Sequence, residues 1–214
     1  MKPTYAKTIA LKLLSVLNTA GVNALCVGGC PRDTYHNMPV SDIDIVVSHE
    51  VDPDDLRSAL TGVFDELPES TNSWTAELFT EYGDDDQLLG ENNGDEFQAT
   101  DDFRQRISWV YKFQFDTESE TICVDILAAI DIGKNENLVS FLDTFDFTIN
   151  QFAFDQDENW VNKQSPHYSV RPVDGLMRHP RVLQRYKRLS AKYPNYGWVA
   201  VEQFLNGKDG GQNG

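Results

Sequence analysis

The chain has 214 residues, a length that suits one large domain or one domain with an appendage. Hydrophobic residues make up 40% and charged residues 24% of the sequence, so a sizeable core can form and full disorder is excluded. The formal net charge of −16, from 18 Lys and Arg against 34 Asp and Glu, argues against a protein that coats nucleic acid non-specifically.

The sequence also predicts the cellular compartment. No apolar run approaches the roughly 18 residues that a membrane helix needs, and lysines interrupt every apolar stretch near the N-terminus, so we expect no signal peptide. The three cysteines are odd in number and form no CxxC pair, a pattern that favours a reducing environment and no zinc site. We therefore expect a cytoplasmic protein with no membrane association.

Helical periodicity, apolar runs and the positions of glycine and proline predict the elements of the first third of the chain. In order, they are a helix over 4–20, a strand over 24–27, a short helix over 32–36, a strand over 43–47 and a helix over 53–63. A glycine pair, Gly28 and Gly29, follows the first strand, and Asp42 and Asp44 accompany the second.

The remainder of the chain begins with a long acidic segment over 81–102 that contains no Lys or Arg. Its Gly, Asn and Asp content predicts a mobile surface insertion. Alternating aromatic residues predict a strand over 108–115, which a polar turn joins to a second strand over 121–127 in a hairpin. Three helices are expected after the hairpin, over 136–142, 144–153 and 180–193.

The last predicted helix carries a stripe of cations. Arg181, Arg185, Arg188 and Lys192 follow one another at spacings of four, three and four residues, which places them on one face of the helix beside an apolar stripe. A basic segment in an acidic chain indicates an anion as its ligand. We interpret the stripe as a contact for a triphosphate or an RNA backbone; an ordinary solvated helix face is the alternative.

Three aspartates lie in or beside strands whose other residues are apolar: Asp42, Asp44 and Asp125. Residues i and i+2 of a strand point to the same face, about 6–7 Å apart. Two buried carboxylates at that distance repel each other unless a cation neutralises them. With Asp125 on a neighbouring strand, the three would form a cluster suited to two Mg²⁺ ions, which together stabilise an in-line phosphoryl displacement. The sequence therefore predicts these aspartates as catalytic residues and metal ligands.

The glycine pair is the second part of the predicted site. Glycines at a strand-to-helix turn let backbone N–H groups approach a phosphate closely, and the guanidinium of Arg32 matches phosphate geometry. Gly28, Gly29 and Arg32 therefore predict a phosphate-binding site beside the metal site. A tight turn with exposed acids nearby is the alternative interpretation.

Two motifs resemble those of a known family. Gly28-Gly29-x-x-Arg32-Asp33 followed by Asp42-x-Asp44 is similar to the signature of the polymerase-β-type nucleotidyltransferases. The run DFTIN, from Asp146 to Asn150, narrows the resemblance to the head domain of bacterial-type CCA-adding enzymes and poly(A) polymerases. The resemblance covers about residues 20–50 and 120–193.

The resemblance implies an α/β fold with a mixed, mostly antiparallel five-stranded nucleotidyltransferase sheet, flanking helices and a short C-terminal helical segment. It implies Mg²⁺-dependent transfer of NMP from an NTP, ATP and/or CTP, to a hydroxyl at the 3′ end of tRNA or another RNA, with release of pyrophosphate. Asp42 and Asp44 match the family's metal ligands. The family's triphosphate-binding and nucleotide-binding positions match four further residues: Arg32, Asp33, Asp146 and Asn150.

The chain departs from the family at two motifs. Thr144 and Phe145 replace a pair of arginines, and the base-selecting EDxxR motif keeps only its last arginine, which matches Arg185. We expect Arg185 at the nucleotide and Arg181, Arg188 and Lys192 at the RNA backbone. Whether base selection is templated stays open.

The expected organisation is a head domain over 1–155, a short helical neck-like extension over 156–206 and a disordered tail over 207–214; an oligomer is left open. Two other functions are considered. One keeps the chemistry but transfers the nucleotide to a protein side chain or a small molecule, as a toxin would. The other is a catalytically silent nucleotide- or RNA-binding module.

Overall fold

The computed structural model describes residues 1–65, 70–79, 106–117, 121–130, 132–133, 136–162 and 182–207. The acidic insertion expected over 81–102, Arg181 and residues 208–214 of the expected tail lie outside these ranges. None of the helices in the described ranges combines the length and hydropathy needed to cross a membrane.

The described residues form five α-helices and seven strands. The helices are α1 (Pro3–Thr19), α2 (Gly29–Tyr35), α3 (Pro53–Asp65), α4 (Val182–Lys192) and α5 (Val199–Gly207). The strands are β1 (Ala24–Val27), β2 (Ile43–Ser48), β3 (Ser70–Phe79), β4 (Ile107–Thr117), β5 (Thr121–Ala129), β6 (Phe152–Phe154) and β7 (Trp160–Asn162). Two 3₁₀ helices, Leu138–Thr144 and Thr148–Asn150, complete the described elements.

The seven strands form one mixed sheet in the order β3-β4-β5-β2-β1-β6-β7. Only β2 and β5 run parallel among the paired strands, and the other pairs are antiparallel. The expected α/β fold with a mixed, mostly antiparallel sheet is therefore confirmed, with seven strands instead of five. The two shortest, β6 and β7, have three residues each, too few to produce a readable alternation.

One predicted element is wrong. The segment over 144–153, expected to be a helix, consists of the 3₁₀ turn Thr148–Asn150 followed by β6. Local backbone bonds close only the short turn, from Asn150 N–H to Phe147 and from Gln151 N–H to Thr148. The residues after it pair with β1 instead of continuing a helix, and the Gly28 N–H donates to the Phe152 carbonyl over 2.9 Å. The helix expected over 136–142 is present, but as a 3₁₀ helix that spans Leu138–Thr144.

Helix α1 shows how the local sequence sets an element boundary. Its buried residues recur at helical spacing and face the sheet: Ala6, Ile9, Ala10, Leu13, Leu14 and Leu17. Past the last turn, Gly21 adopts φ +76°, and the N–H of Val22 reaches back to the Leu17 carbonyl. This is a Schellman ending, which favours glycine because a Cβ disfavours positive φ.

Different elements pack against the two faces of the sheet. Helices α1 and α3 pack on the face that contains Ile43, Ile45, Val124 and Ile126. The opposite face packs against the 3₁₀ helix Leu138–Thr144. Because successive residues of a strand alternate between faces, Asp44 and Asp125 belong to this second face, which α1 and α3 leave open.

The C-terminal helices add a third cluster to the core. Side chains of α4, α5, the segment between them and the DFTIN run pack together, with every member nearly inaccessible to solvent: Phe147, Ile149, Leu189, Tyr193, Trp198 and Val201. Helix α4 is thus docked through Leu189 and the partly buried Tyr186, whereas Leu183, in the first turn of its apolar stripe, is exposed. Its attachment to the DFTIN run brings its cations close to the residues described next.

Candidate active site

A row of charged residues crosses the middle of the sheet. Asp44 on β2 lies directly opposite Asp125 on the parallel strand β5, and Asp125 lies opposite Lys112 on β4. Neighbouring strands are about 4.8 Å apart, so residues in register share a face and lie side by side. Asp44 is 5% exposed and Asp125 9% exposed. The arrangement therefore holds two nearly buried carboxylates against each other with one ammonium beside them.

The environment of Asp125 is electrostatically costly for its charged form. Burial raises the pKa of Asp125 above its ordinary value, and the Lys112 ammonium, 3.8 Å from Oδ2, opposes that shift only in part. The nearby Cys123 thiol also has a raised pKa, because of burial first and then the negative charges of Asp125 and Asp42. Asp42 is therefore within electrostatic reach of the same place.

The glycine turn lies against these carboxylates. Gly28 has φ +72°, and a Cβ there would come within 3.2 Å of the Phe145 ring and 3.7 Å of Asp44 Oδ2. A Cβ on Gly29 would lie 3.9 Å from Asp42 Oδ1. Gly28 is thus required both by backbone conformation and by space, and the turn borders the two aspartates directly.

Arg32 connects this turn to the DFTIN run. Its Nε donates to Asp33 Oδ1 over 2.7 Å, and its Nη1 donates to the side-chain oxygen of Asn150. Asn150 in turn donates to Asp146 Oδ1 over 3.1 Å. The other oxygen of Asp146 accepts from Arg185 Nη1 at 2.7 Å. Five of the predicted site residues therefore form one hydrogen-bonded chain that ends on α4.

Asp33 is the second point at which α4 is attached. Lys192 Nζ lies 2.5 Å from Asp33 Oδ2, and the Tyr193 hydroxyl donates to Oδ1. Burial alone would raise the pKa of Asp33, yet Arg32, Lys192 and Tyr193 together hold it below its ordinary value. Burial and the Asp33 charge raise the pKa of Tyr193. The hydroxyl therefore stays protonated and donates a hydrogen bond to the carboxylate.

The predicted site residues fall into two groups in the structure. Asp42, Asp44, Gly28 and Gly29 lie around the glycine turn, with Asp125 beside Asp44. The second group is the hydrogen-bonded chain that runs from the turn to α4: Arg32, Asp33, Asn150, Asp146, Arg185 and Lys192.

The cations of α4 have different environments. Lys192 and Arg185 are engaged by Asp33 and Asp146 within the chain, and Arg188 is exposed on α4. The RNA contacts expected for Arg188 and Lys192 stay predictions, and for Lys192 such a contact would require its ion pair to open. Arg181 lies outside the described residues.

Two residues of the site have no counterpart in the sequence-based predictions: Lys112, beside Asp125, and the hydroxyl of Tyr193, on Asp33. The sequence could have indicated Lys112, because it is a charged residue between the aromatic residues of an alternating strand and therefore lies on the opposite face of that strand. Nothing in the sequence indicated the role of Tyr193, since its spacing on the helix predicts only packing. Within the described ranges, no three His, Cys, Asp or Glu side chains form a ready-made ion cage.

Comparison with solved structures decides the fold. A CCA-adding enzyme in complex with ATP aligns over 91% of this chain and 40% of its own, with a TM-score of 0.54 and 16% sequence identity. The chain has a nucleotidyltransferase fold. An apo tRNA-processing enzyme aligns over 89% of this chain and 43% of its own, with a TM-score of 0.53 and 16% identity.

A tRNA nucleotidyltransferase complexed with a primer tRNA and an incoming ATP analog gives 86% and 46% coverage, a TM-score of 0.51 and 16% identity. The chain therefore spans less than half the length of each of these three proteins. No protein-family model matches the sequence, and no curated protein matches it at a significant level.

Proposed function

We propose that the chain is a nucleotidyltransferase that moves NMP from an NTP to a 3′-end hydroxyl of RNA, with tRNA as the first acceptor to test. The observation that carries the proposal is the register of Asp44 and Asp125 on the two parallel strands, with the glycine turn against Asp44. Binding alone would not need two nearly buried carboxylates in register on neighbouring strands, because burying their charges destabilises the fold.

The donor set fits a divalent cation. Asp44 and Asp125 are adjacent and nearly buried, and Asp42 Oδ1 borders the same turn. Carboxylate oxygens are the ligands that Mg²⁺ prefers. We assign Asp42, Asp44 and Asp125 to hold two Mg²⁺ ions, which when bound would stabilise charge on the entering and leaving oxygens.

The chain's own residues supply the rest of the chemistry. Gly28, Gly29 and Arg32 bind the triphosphate and orient its α-phosphorus toward the carboxylates. The acceptor oxygen attacks that phosphorus, and the bond to the bridging oxygen of the β-phosphate breaks, so pyrophosphate leaves with the electron pair. Asp125 accepts a hydrogen bond from the acceptor hydroxyl and helps to remove its proton as the new bond forms.

Asp33, Asp146, Asn150 and Arg185 act on the nucleotide side of the site. Their hydrogen-bonded chain holds Arg32 in one orientation before the nucleotide arrives, which limits the entropy lost on binding. Asp146 and Asn150 are assigned to the nucleotide sugar and Arg185 to the base or the phosphates. Arg181, Arg188 and Lys192 are assigned to the RNA backbone.

Two observations support RNA as the acceptor. The DFTIN run carries the resemblance to enzymes that extend RNA 3′ ends, and one of the structural neighbours was solved with a primer tRNA and an ATP analog. The neighbours are longer than this chain. The acceptor is therefore a proposal that a direct assay must test.

The test is to incubate the chain with Mg²⁺, each α-labelled NTP in turn, and tRNA with and without its terminal nucleotides. We expect label in RNA and equimolar pyrophosphate, with none when EDTA replaces Mg²⁺. Label on protein or on a small molecule would support the toxin-like alternative and contradict the RNA proposal. Labelled NTP that binds without turnover would identify a silent binding module.

A further inference from the structure

Lys112 lies inside the charged row but has no role in the proposed reaction. Its Nζ is 3.8 Å from Asp125 Oδ2, and its side chain is 23% exposed. On the other side Lys112 is paired with Glu77 of β3, which is exposed. The ammonium therefore lies in a row between a nearly buried carboxylate and an exposed one, at the edge of the solvent, where the phosphate of a ligand can approach it.

The in-line geometry of phosphoryl transfer indicates on which side of the carboxylates the acceptor enters. The nucleophile approaches the phosphorus on the side opposite to the one from which the leaving group departs. Gly28 and Arg32, the proposed triphosphate site, follow β1, on one side of Asp44 in the strand order β4-β5-β2-β1. Pyrophosphate then leaves toward β1, and the acceptor must enter from the side of β5 and β4, where Lys112 lies.

We propose that Lys112 binds the terminal phosphodiester of the acceptor strand while Asp125 holds the hydroxyl of the same nucleotide. This inference rests on the proposed function and deepens it, because it assigns a residue to the last phosphate of the RNA acceptor. A serine hydroxyl of a protein carries no phosphate for the ammonium to contact. A charged hydrogen bond between an ammonium and a phosphate oxygen is among the stronger contacts available to a protein.

A different role for Lys112 is to neutralise Asp125 only. In that case, loss of the ammonium would slow the reaction on every acceptor alike and would leave the affinity for RNA unchanged. Contact with the triphosphate would instead weaken NTP binding. The phosphate itself is therefore the feature that an experiment must vary.

The test uses a synthetic acceptor-stem hairpin RNA in two forms, one natural and one with a neutral methylphosphonate at its last internucleotide linkage. Half-saturating RNA and NTP concentrations and kcat are measured for the wild type, Lys112→Met and Lys112→Arg. Lys12→Met is the matched control, because Lys12 lies on α1, which covers the opposite face of the sheet. Thermal melting establishes that each variant is folded.

We expect the methylphosphonate to raise the half-saturating RNA concentration of the wild type and of Lys12→Met about tenfold. Lys112→Met should require about tenfold more of either RNA and no longer distinguish the two, with NTP dependence unchanged. Lys112→Arg should recover most of the discrimination. The salt dependence of RNA binding should weaken in Lys112→Met by about 0.7 in log–log slope.

The inference is overturned if Lys112→Met distinguishes the two RNAs as well as the wild type does, or if it loses only kcat, equally on both. Absence of transfer to either RNA by the wild type would instead contradict the proposed function. The two failures therefore give different results.

Discussion

Lys192 and Asp33 are separated by 159 positions in the sequence, and their charged groups lie 2.5 Å apart. Asp33 is 1% exposed and also accepts from Arg32 and Tyr193. The residue that follows Arg32, the arginine proposed to bind phosphate, is therefore the anchor of α4. Charged contacts with Asp33 thus join α4 to α2, and the apolar contacts of Leu189 and Tyr193 join it to the DFTIN run.

The first prediction concerns this anchor. Asp33→Ala should lower the free energy of unfolding by about 3–5 kcal/mol, because it leaves Arg32 buried without its carboxylate. Lys192→Met should cost less, about 1–2 kcal/mol, since its ammonium is partly exposed and can be solvated. Urea unfolding measures both, with Lys187→Met, an exposed position of the same helix, as the control. Equal stability of Asp33→Ala and the wild type would show that the anchor contributes nothing.

The second prediction concerns pH and His36. The Tyr196 hydroxyl lies 2.5 Å from His36 Nε2, and burial, with Arg32 nearby, lowers the pKa of His36. The unfolded chain then binds this proton more readily than the folded chain. Stability from the neutral ring is present above about pH 6.5 and is lost as the pH falls below it.

His36→Gln should therefore be less sensitive than the wild type to acid between about pH 6.5 and 5. The measurement is the melting temperature of both proteins at several pH values in this interval. The difference between the two proteins is taken at each pH, so that the contributions of other titrating groups cancel. A constant difference across the interval would contradict the assignment.

The third prediction separates stability from activity at the carboxylates. Asp125→Asn should abolish transfer but raise the melting temperature of the metal-free protein at neutral pH. Burial raises the pKa of Asp125, so its charged form weakens the fold as pH rises through that pKa. The amide removes this charge and with it the cost of burying it. Melting in EDTA and the transfer rate in Mg²⁺ check the two parts, and a drop in melting temperature would contradict the first.

The site could be predicted from sequence where local pattern and chemistry agreed. Asp42 and Asp44 are two apart beside an apolar strand, and Gly28 needs a conformation that only glycine adopts easily. The partner strand of Asp125 could not be deduced from spacing, because strand order depends on long-range packing. Lys192 illustrates the limit: its place on the last helix was predictable, but its ion pair with Asp33 of α2 was not, because it depends on how distant parts of the chain pack together.

The same reasoning explains the misread segment over 144–153. Its apolar residues at helical spacing are also those of a turn followed by a short strand, and length cannot separate the two. The strand forms because β1 would otherwise have unpaired backbone groups along the edge that faces away from β2. Pairing with Phe154 and Ala153 satisfies backbone groups on both strands. Such an edge is visible only once the sheet is assembled.

The fourth prediction concerns Arg185. Arg185→Ala should raise the half-saturating NTP concentration about tenfold or more, the value of one charge-assisted contact, with RNA affinity little changed. Arg185→Lys should recover little, because an ammonium does not reproduce the planar guanidinium, whose Nη1 donates to Asp146 Oδ2 over 2.7 Å and whose other N–H groups can contact the nucleotide. Steady-state kinetics with NTP and RNA varied separately provide the measurement. An unchanged NTP dependence would identify Arg185 as an anchor of α4 only.

The central claim is that Asp44 and Asp125 form the catalytic centre of a nucleotidyl transfer. Its most direct test is the transfer rate of Asp44→Ala under saturating NTP, RNA and Mg²⁺, with melting temperature measured alongside. The account predicts a folded protein whose rate falls by at least about a thousandfold, since the stabilisation of charge on the entering and leaving oxygens is lost. A folded variant that keeps more than about a tenth of the wild-type rate, a loss below roughly 1.4 kcal/mol, would contradict it.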